Sequence, residues 1–294
     1  MRYTLQNEYI AISVDSLGAE LKSLKKNNRE YLWGADPKFW DRTSPILFPM
    51  IGRLKNGEFT TGGRAYHMNL HGFACDMEFK AVEITNNSLT MQLTSSARTL
   101  SLWPFEFVLE VSYVINGSTL SVNWNVRNTG DKDLYFSIGG HPGFLCPDGH
   151  YCAAYVEDSA GSGALVPATE EPITWVTDQG LLSHSTETVS FEEGRLPITR
   201  NLFRQGNGTL VFTDTAIKRL ALADKDLHEY VTVDFDTPVL ALWSPDLPDT
   251  PFVCIEPWCG VCDYEDADGI WEHRPFSNRV ACGEVFEQRY TITL

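Results

Sequence analysis

Apolar and polar residues alternate with a period of two along most of the chain, the pattern of strands with one buried face. In "YIAISVD", Ile10, Ile12 and Val14 share a face. "GEFTTGGRAYHM" predicts a hairpin turning at Gly62-Gly63, and "KAVEITNNSLTMQLTSS" another turning at Asn86-Asn87. The longest alternating pair, "FEFVLEVSYVINGSTLSVNWNVRNTG", is joined at Asn116-Gly117, where a type I′ turn is favoured because positive φ costs little there. Further strands are predicted at "DLYFSI", "TLVFTDT", "KRLALAD", "YVTVDFD", "VLALWSP", "FVCIEPW" and "RYTITL". No long amphipathic helix is predicted, only short helical turns around "PKFWDR" and "SARTLSLW". The segment from about Glu157 to Leu196 is the least regular; it is too long for a bare loop, so irregular structure or short strands are expected. No change in composition divides the chain. Residues 1–294 are expected to form one all-β domain, a large antiparallel β-sandwich with few short helices.

Composition narrows the function. The formal net charge is −16, which repels a polyanion, and no local basic patch offsets it, so nucleic acid is not an expected partner. The N-terminus lacks the apolar core of a secretory signal, and no apolar run reaches the length of a membrane span. Seven cysteines, an odd number without a signal, suit reduced thiols in the cytosol, so a cytoplasmic protein without a membrane partner is expected. The sequons at Asn86, Asn116 and Asn207 read better as turns than as glycosylation sites. Eight Trp, eleven Tyr and sixteen Phe suit a β-rich fold and also a surface that stacks on sugar rings.

Four residues stand out as candidate chemistry: Arg53 in "FPMIGRLKNGEF", His71 in "NLHGFACD", His141 in "SIGGHPGF" and Glu256 in "FVCIEPWCG". Each follows or ends a strand-like run beside Gly, Pro or aromatic residues, a natural place for polar groups to converge over a concave face. Glu256 ends an apolar run, so partial desolvation raises its pKa toward the range of a general base; the alternative is a strand-end carboxylate in an ion pair. His141 is the complementary acid, or else a turn histidine bonded to backbone carbonyls. His71 carries the same alternative, and Arg53 is either a donor fork for hydroxyls or a surface ion pair. Cys259 and Cys262 form one C-x-x-C near Cys254, but the second pair that a zinc site needs is absent, and buried thiols are the better reading. No G-x-G-x-x-G after a strand, P-loop, H-E-x-x-H or G-x-S-x-G is present.

With "SPILFPMIGRLKNGEF", "HGFACDMEF", "WPFEFVLEVSY", "SIGGHPGF" and "FVCIEPWCG" in this order, the chain resembles the aldose 1-epimerase (galactose mutarotase-like) family, most closely its LacX-like branch. The resemblance spans nearly the whole chain. It implies a large β-sandwich that interconverts the α and β anomers of a hexose without metal, nucleotide or redox cofactor. It implies Glu256 as general base on the C1 hydroxyl and His141 as general acid on the ring oxygen, with His71 and Arg53 binding hydroxyls. Phe144 and Trp258 are candidate ring-stacking residues, with a core role the alternative. Two positions depart from the branch: Cys75 stands where Arg is common, which puts a neighbouring ion pair in doubt, and Gly208 stands where many relatives carry a sugar-binding Asp. Asp214 is a candidate substitute. The expected partner is a small sugar, with the protein a monomer or homodimer. A hexose 6-phosphate substrate, which calls for two or more cations at the far end of the pocket, and a non-catalytic sugar-binding protein remain as alternatives.

Overall fold

Two large antiparallel sheets carry the chain, and the reason is visible in how their strands bury alternate residues. The computed structural model describes residues 1–294, except for the side chain of Arg200. The ten-stranded sheet is built around the hairpin Phe107–Asn116 and Thr119–Asn128, whose apolar positions are buried one residue in two. Its neighbours are Ser88–Thr94 on one side and Val285–Thr293 on the other. The eight-stranded sheet runs in the order Leu182–Ser190, Glu170–Val176, Thr209–Thr213, Val239–Trp243, Phe252–Cys259, Ile138–Gly140, Ile46–Leu47, with Gly143–Leu145 also pairing Phe252–Cys259.

Leu210, Phe212, Leu240, Leu242, Val253 and Ile255 of the eight-stranded sheet share one core with Leu109, Val111, Val122, Trp124 and Val233 of the ten-stranded sheet. This is the sandwich interior, where each large apolar side chain contributes about 1.5–3 kcal/mol by leaving water. The intervening residues face the other way. Val211, Ala241 and Trp258 form a second apolar cluster, and Phe252 and Cys254 join Trp33 in a third. The eight-stranded sheet is therefore buried on both faces, which is why Phe252–Cys259 is buried at every position and reads as a continuous apolar run. A lone carboxylate in that run, Glu256, necessarily shares a face with Cys254 and Trp258.

The turns follow local chemistry closely. Gly62 and Gly63 both have positive φ between paired Thr61 and Arg64, and Asn86-Asn87 turns the next hairpin between Ile84 and Leu89. The long hairpin departs from expectation by one residue. Asn116 pairs with Thr119, so the turn is Gly117-Ser118, with positive φ at Gly117 alone. Glycine at the first central position favours type II′ rather than type I′. "SARTLSLW" forms the α-helix Ala97–Leu102, capped reciprocally by Ser96 and Thr99, whereas "PKFWDR" is a hydrogen-bonded turn in which Asp36 O accepts from Phe39 and Trp40. The segment expected to hold irregular structure or short strands holds strands: Leu165–Pro167, Glu170–Val176, Leu182–Ser190 and Arg195–Pro197.

Candidate active site

The outer face of the eight-stranded sheet floors a cavity of about 1060 Å³. His141, Glu256, Arg53, His71 and Trp258 all line it. Sequence separations of over a hundred residues collapse here because Ile138–Gly140 pairs directly with Phe252–Cys259, placing Gly139 opposite Trp258. The Gly-Gly of "SIGGHPGF" permits this close packing. A Cβ on Gly139 would stand 2.6 Å from Trp258 Cδ1, and one on Gly140 would stand 2.9 Å from the Tyr290 hydroxyl.

His141 Nε2 lies 3.4 Å from Glu256 Oε2. The two residues are 6% and 1% exposed, so this pair is almost wholly enclosed by protein. Burial pushes the Glu256 carboxyl well above its ordinary 4.5, and the Trp258 indole N–H, donating to Oε2 at 3.2 Å, opposes that in part. Burial also holds the His141 imidazole well below 6.5, with the nearby His71 ring a second cause. Trp40 stacks on the imidazole at 4.7 Å, and Trp243 meets it edge-on at 5.4 Å. An aromatic face favours the imidazolium and offsets some of the desolvation.

His71 adopts a left-handed backbone (φ 63) that turns its ring into the cavity, 5.6 Å from the His141 ring. The Gly52 N–H donates to His71 Nδ1 at 3.1 Å. Nδ1 is therefore the acceptor, and the neutral ring presents Nε2–H as a donor. Burial, then the Arg53 and Arg42 charges, lower the His71 pKa to about 4, which keeps the ring neutral near neutrality. Arg53 is exposed to the cavity, and among the described residues its guanidinium has no side-chain hydrogen bond or ion pair. It is available to a ligand. The ion pair that Cys75 placed in doubt is made from elsewhere: Arg42 pairs with Asp76 and also donates to Cys75 O at 3.1 Å.

Two expected binding residues lie elsewhere. Asp214 follows the strand Thr209–Thr213, of which Thr209 is the cavity end. Five residues of extended chain carry Asp214 about 17 Å away, where it is exposed and takes φ 51. Phe144 is 0% exposed and belongs to the sandwich interior. Its neighbour Gly143 faces Trp33, Trp40 and Cys254, so the parity of the strand sends Phe144 inward. Phe144→Ala is expected to cost about 3–5 kcal/mol in chemical denaturation, and Asp214→Asn to leave both stability and sugar turnover at wild-type levels. Gly208 is fixed by the backbone: φ is 79, and a Cβ would stand 2.6 Å from Ser244 O, so no Asp fits there. Cys259 lies in the sandwich interior and Cys262 in the outer-face cluster, so the C-x-x-C does not converge.

Sequence reasoning missed several lining residues, among them Trp40, Arg42, Asp178, Arg204, Trp243 and Asp246. Trp243 was within reach, since it alternates with Val239 and Ala241 and pairs with Cys254. The others come from loops with no periodic signal.

The family model for aldose 1-epimerase matches residues 1–292. The chromosomally encoded protein LacX of Lactococcus lactis subsp. lactis is 30% identical over 306 aligned positions, covering 100% of this chain and 99% of LacX. The crystal structure of a galactose mutarotase related enzyme from Lactobacillus acidophilus superposes with a TM-score of 0.90 at 29% identity, covering 100% of this chain and 97% of that one. A galactose mutarotase-like protein from Lactobacillus casei gives a TM-score of 0.88 at 27% identity, with 100% and 99% covered. The chain belongs to the aldose 1-epimerase family, a family of isomerases.

Proposed function

We propose that the protein is a mutarotase that interconverts the α and β anomers of a hexose by acid/base ring opening. The observation that carries this reading is the enclosed His141–Glu256 pair at the floor of the cavity, with 3.4 Å between Nε2 and Oε2. The two oxygens that exchange protons in ring opening, the C1 hydroxyl and the ring oxygen, are bonded to the same carbon. An acid and a base that serve both at once must stand side by side, as these do. Glu256 removes the C1 hydroxyl proton while His141 protonates the ring oxygen. The C1–O5 bond breaks to give the aldehyde, the C1–C2 bond rotates, and closure on the other face returns both protons. The Nε2–H of His71 and the fork of Arg53 donate to hydroxyls near the ring oxygen.

Anomer exchange of freshly dissolved α-glucose and α-galactose, followed by NMR or polarimetry, tests this reading. Sugar binding without exchange above the buffer rate would instead make the protein a carbohydrate-binding module. Arg53→Lys keeps the charge but loses the planar fork. It is expected to raise KM about tenfold with a smaller effect on kcat, the loss of roughly one hydrogen bond's worth of binding.

One observation favours a second reading. Arg204 also lines the cavity and, among the described residues, has no ion pair. With Arg53 it meets the two-cation requirement of a hexose 6-phosphate. Asp41, Asp178 and Asp246 line the same cavity and oppose an anion, so the free hexose is preferred. Including hexose 6-phosphates in the sugar panel separates the two, since only the phosphate reading makes turnover depend on Arg204.

A further inference from the structure

We infer that His141, Cys254 and Glu256 form a site for a thiophilic divalent ion of the Zn²⁺ class, and that occupancy of this site switches the active site off. The effect on rate rests on the proposed mutarotase reading; the binding itself does not. One ligand atom from each of the three residues lies within 4.8 Å of the others, and all three residues are buried. Cys254 and Glu256 stand two apart on one strand and so project from the same face. His141 reaches them from the segment that follows Ile138–Gly140.

The spacing suits a tetrahedral ion. Around Zn²⁺, with bonds of about 2.0–2.3 Å, neighbouring ligand atoms stand roughly 3.3–3.6 Å apart. The His141 Nε2 to Glu256 Oε2 separation is already 3.4 Å. The Cys254 sulfur lies within 4.8 Å of the other two ligand atoms, so binding requires it to move toward them. One imidazole, one thiolate and one carboxylate leave a fourth position open toward the cavity, the arrangement of an accessible zinc site. The charges cancel as well: thiolate and carboxylate neutralise the dication, so no net charge is buried. Sulfur and nitrogen donors disfavour Mg²⁺ or Ca²⁺, which take oxygen ligands. The surround is dry, with Trp33 and Phe252 packed beside Cys254 and Phe39, Trp40 and Trp243 against them. None of the other cysteines shares this position. Cys75 and Cys262 line the cavity, but neither groups with two further metal-ligating side chains among the described residues.

An ion bound here occupies the lone pairs that proton transfer needs, so it competes with the sugar. The decisive experiment titrates the purified full-length protein with Co²⁺, a spectroscopic stand-in for Zn²⁺, and follows the thiolate-to-cobalt charge-transfer band. The band is expected in the wild type and in Cys75→Ser and Cys262→Ser. It is expected to be lost in both Cys254→Ala and Cys254→Ser, since neither carries the sulfur that the band reports; Cys254→Ser nearly preserves the packing volume, so the loss there is not a packing effect. In parallel, micromolar Zn²⁺ is expected to suppress anomer exchange reversibly. Chelator restores it, millimolar Mg²⁺ has no effect, and each Cys254 variant is less sensitive when compared with its own metal-free rate. A band that survives in folded Cys254→Ala, or Zn²⁺ inhibition unchanged by either Cys254 variant, overturns the site. Absence of anomer exchange in the metal-free wild type would instead overturn the mutarotase reading, while the Co²⁺ band still reports on the metal site.

Discussion

Glu256→Gln is expected to lower kcat for anomer exchange by about 10³-fold while KM changes little, because a general base contributes roughly 10²–10⁴-fold. The amide matches the carboxylate in shape, and its oxygen still accepts from the Trp258 indole, which now donates at 3.2 Å. What it loses is the capacity to take a proton, the role proposed for Glu256 at the C1 hydroxyl. The same substitution carries a signature in stability. Burial raises the folded pKa of Glu256 well above the unfolded value of 4.5. The folded state therefore holds this proton more tightly than the unfolded state does. Below the unfolded value both states are protonated and the group is neutral to stability. As pH rises through and above that value, the unfolded chain ionises more easily and wild-type stability falls relative to the amide. Thermal unfolding of wild type and Glu256→Gln should nearly coincide at about pH 4 and separate in favour of Gln at about pH 8. A variant that gains stability as it loses turnover marks a group held at a cost for chemistry.

His141→Gln removes the proposed acid and is expected to reduce kcat by about 10²–10³-fold. Its pH dependence is the sharper test. On the proposed mechanism, turnover needs one proton on the His141–Glu256 pair, held by either partner. A second proton blocks the base, and loss of the only proton removes the acid. The two groups titrate as a unit, so the limbs of the profile belong to the pair. The second proton is taken up as pH falls through the imidazole value, which burial lowers below 6.5. The only proton is lost as pH rises through the carboxyl value, which burial raises above 4.5. Both shifts widen the active range, so the wild-type profile is a broad plateau with an acid limb below the ordinary histidine value. In His141→Gln only the carboxylate remains. Its residual rate should rise with pH through the Glu256 value and then level off, with no alkaline decline. A residual profile still shaped like the wild type's would assign the acid to another group, of which His71 is the nearest imidazole.

How much was legible in the sequence depends on whether the deciding interaction is local. The hairpins were, because a period of two and a pair of turn residues are short-range signals. Glu256 was legible as a candidate, because a carboxylate at the end of an apolar run stands out; that the strand continues past it to Cys259 and is buried throughout was not. Phe144 could not be decided between ring stacking and core because a single step along a strand changes its face, and parity is set by the pairing of Gly143 with Cys254 rather than by composition. Asp214 was misplaced because a strand has two ends and only the fold says which one meets the cavity. Leu182–Ser190 escaped detection because most of its residues are exposed, leaving no alternation to read. Trp40 and Arg42 enter the site from a turn whose position is fixed by packing against Phe252 and by the Asp76 ion pair, both remote in sequence.

In the proposed mechanism the enclosed His141–Glu256 pair moves protons on an anomeric carbon. Two-dimensional exchange NMR on equilibrated glucose and galactose tests it most directly, since it reads α-to-β interconversion without a coupled enzyme. Exchange cross-peaks are expected to grow with wild-type protein concentration and to return to the buffer level with Glu256→Gln, while that variant still binds sugar. Equal exchange in the two proteins, whether both active or both inert, would contradict it.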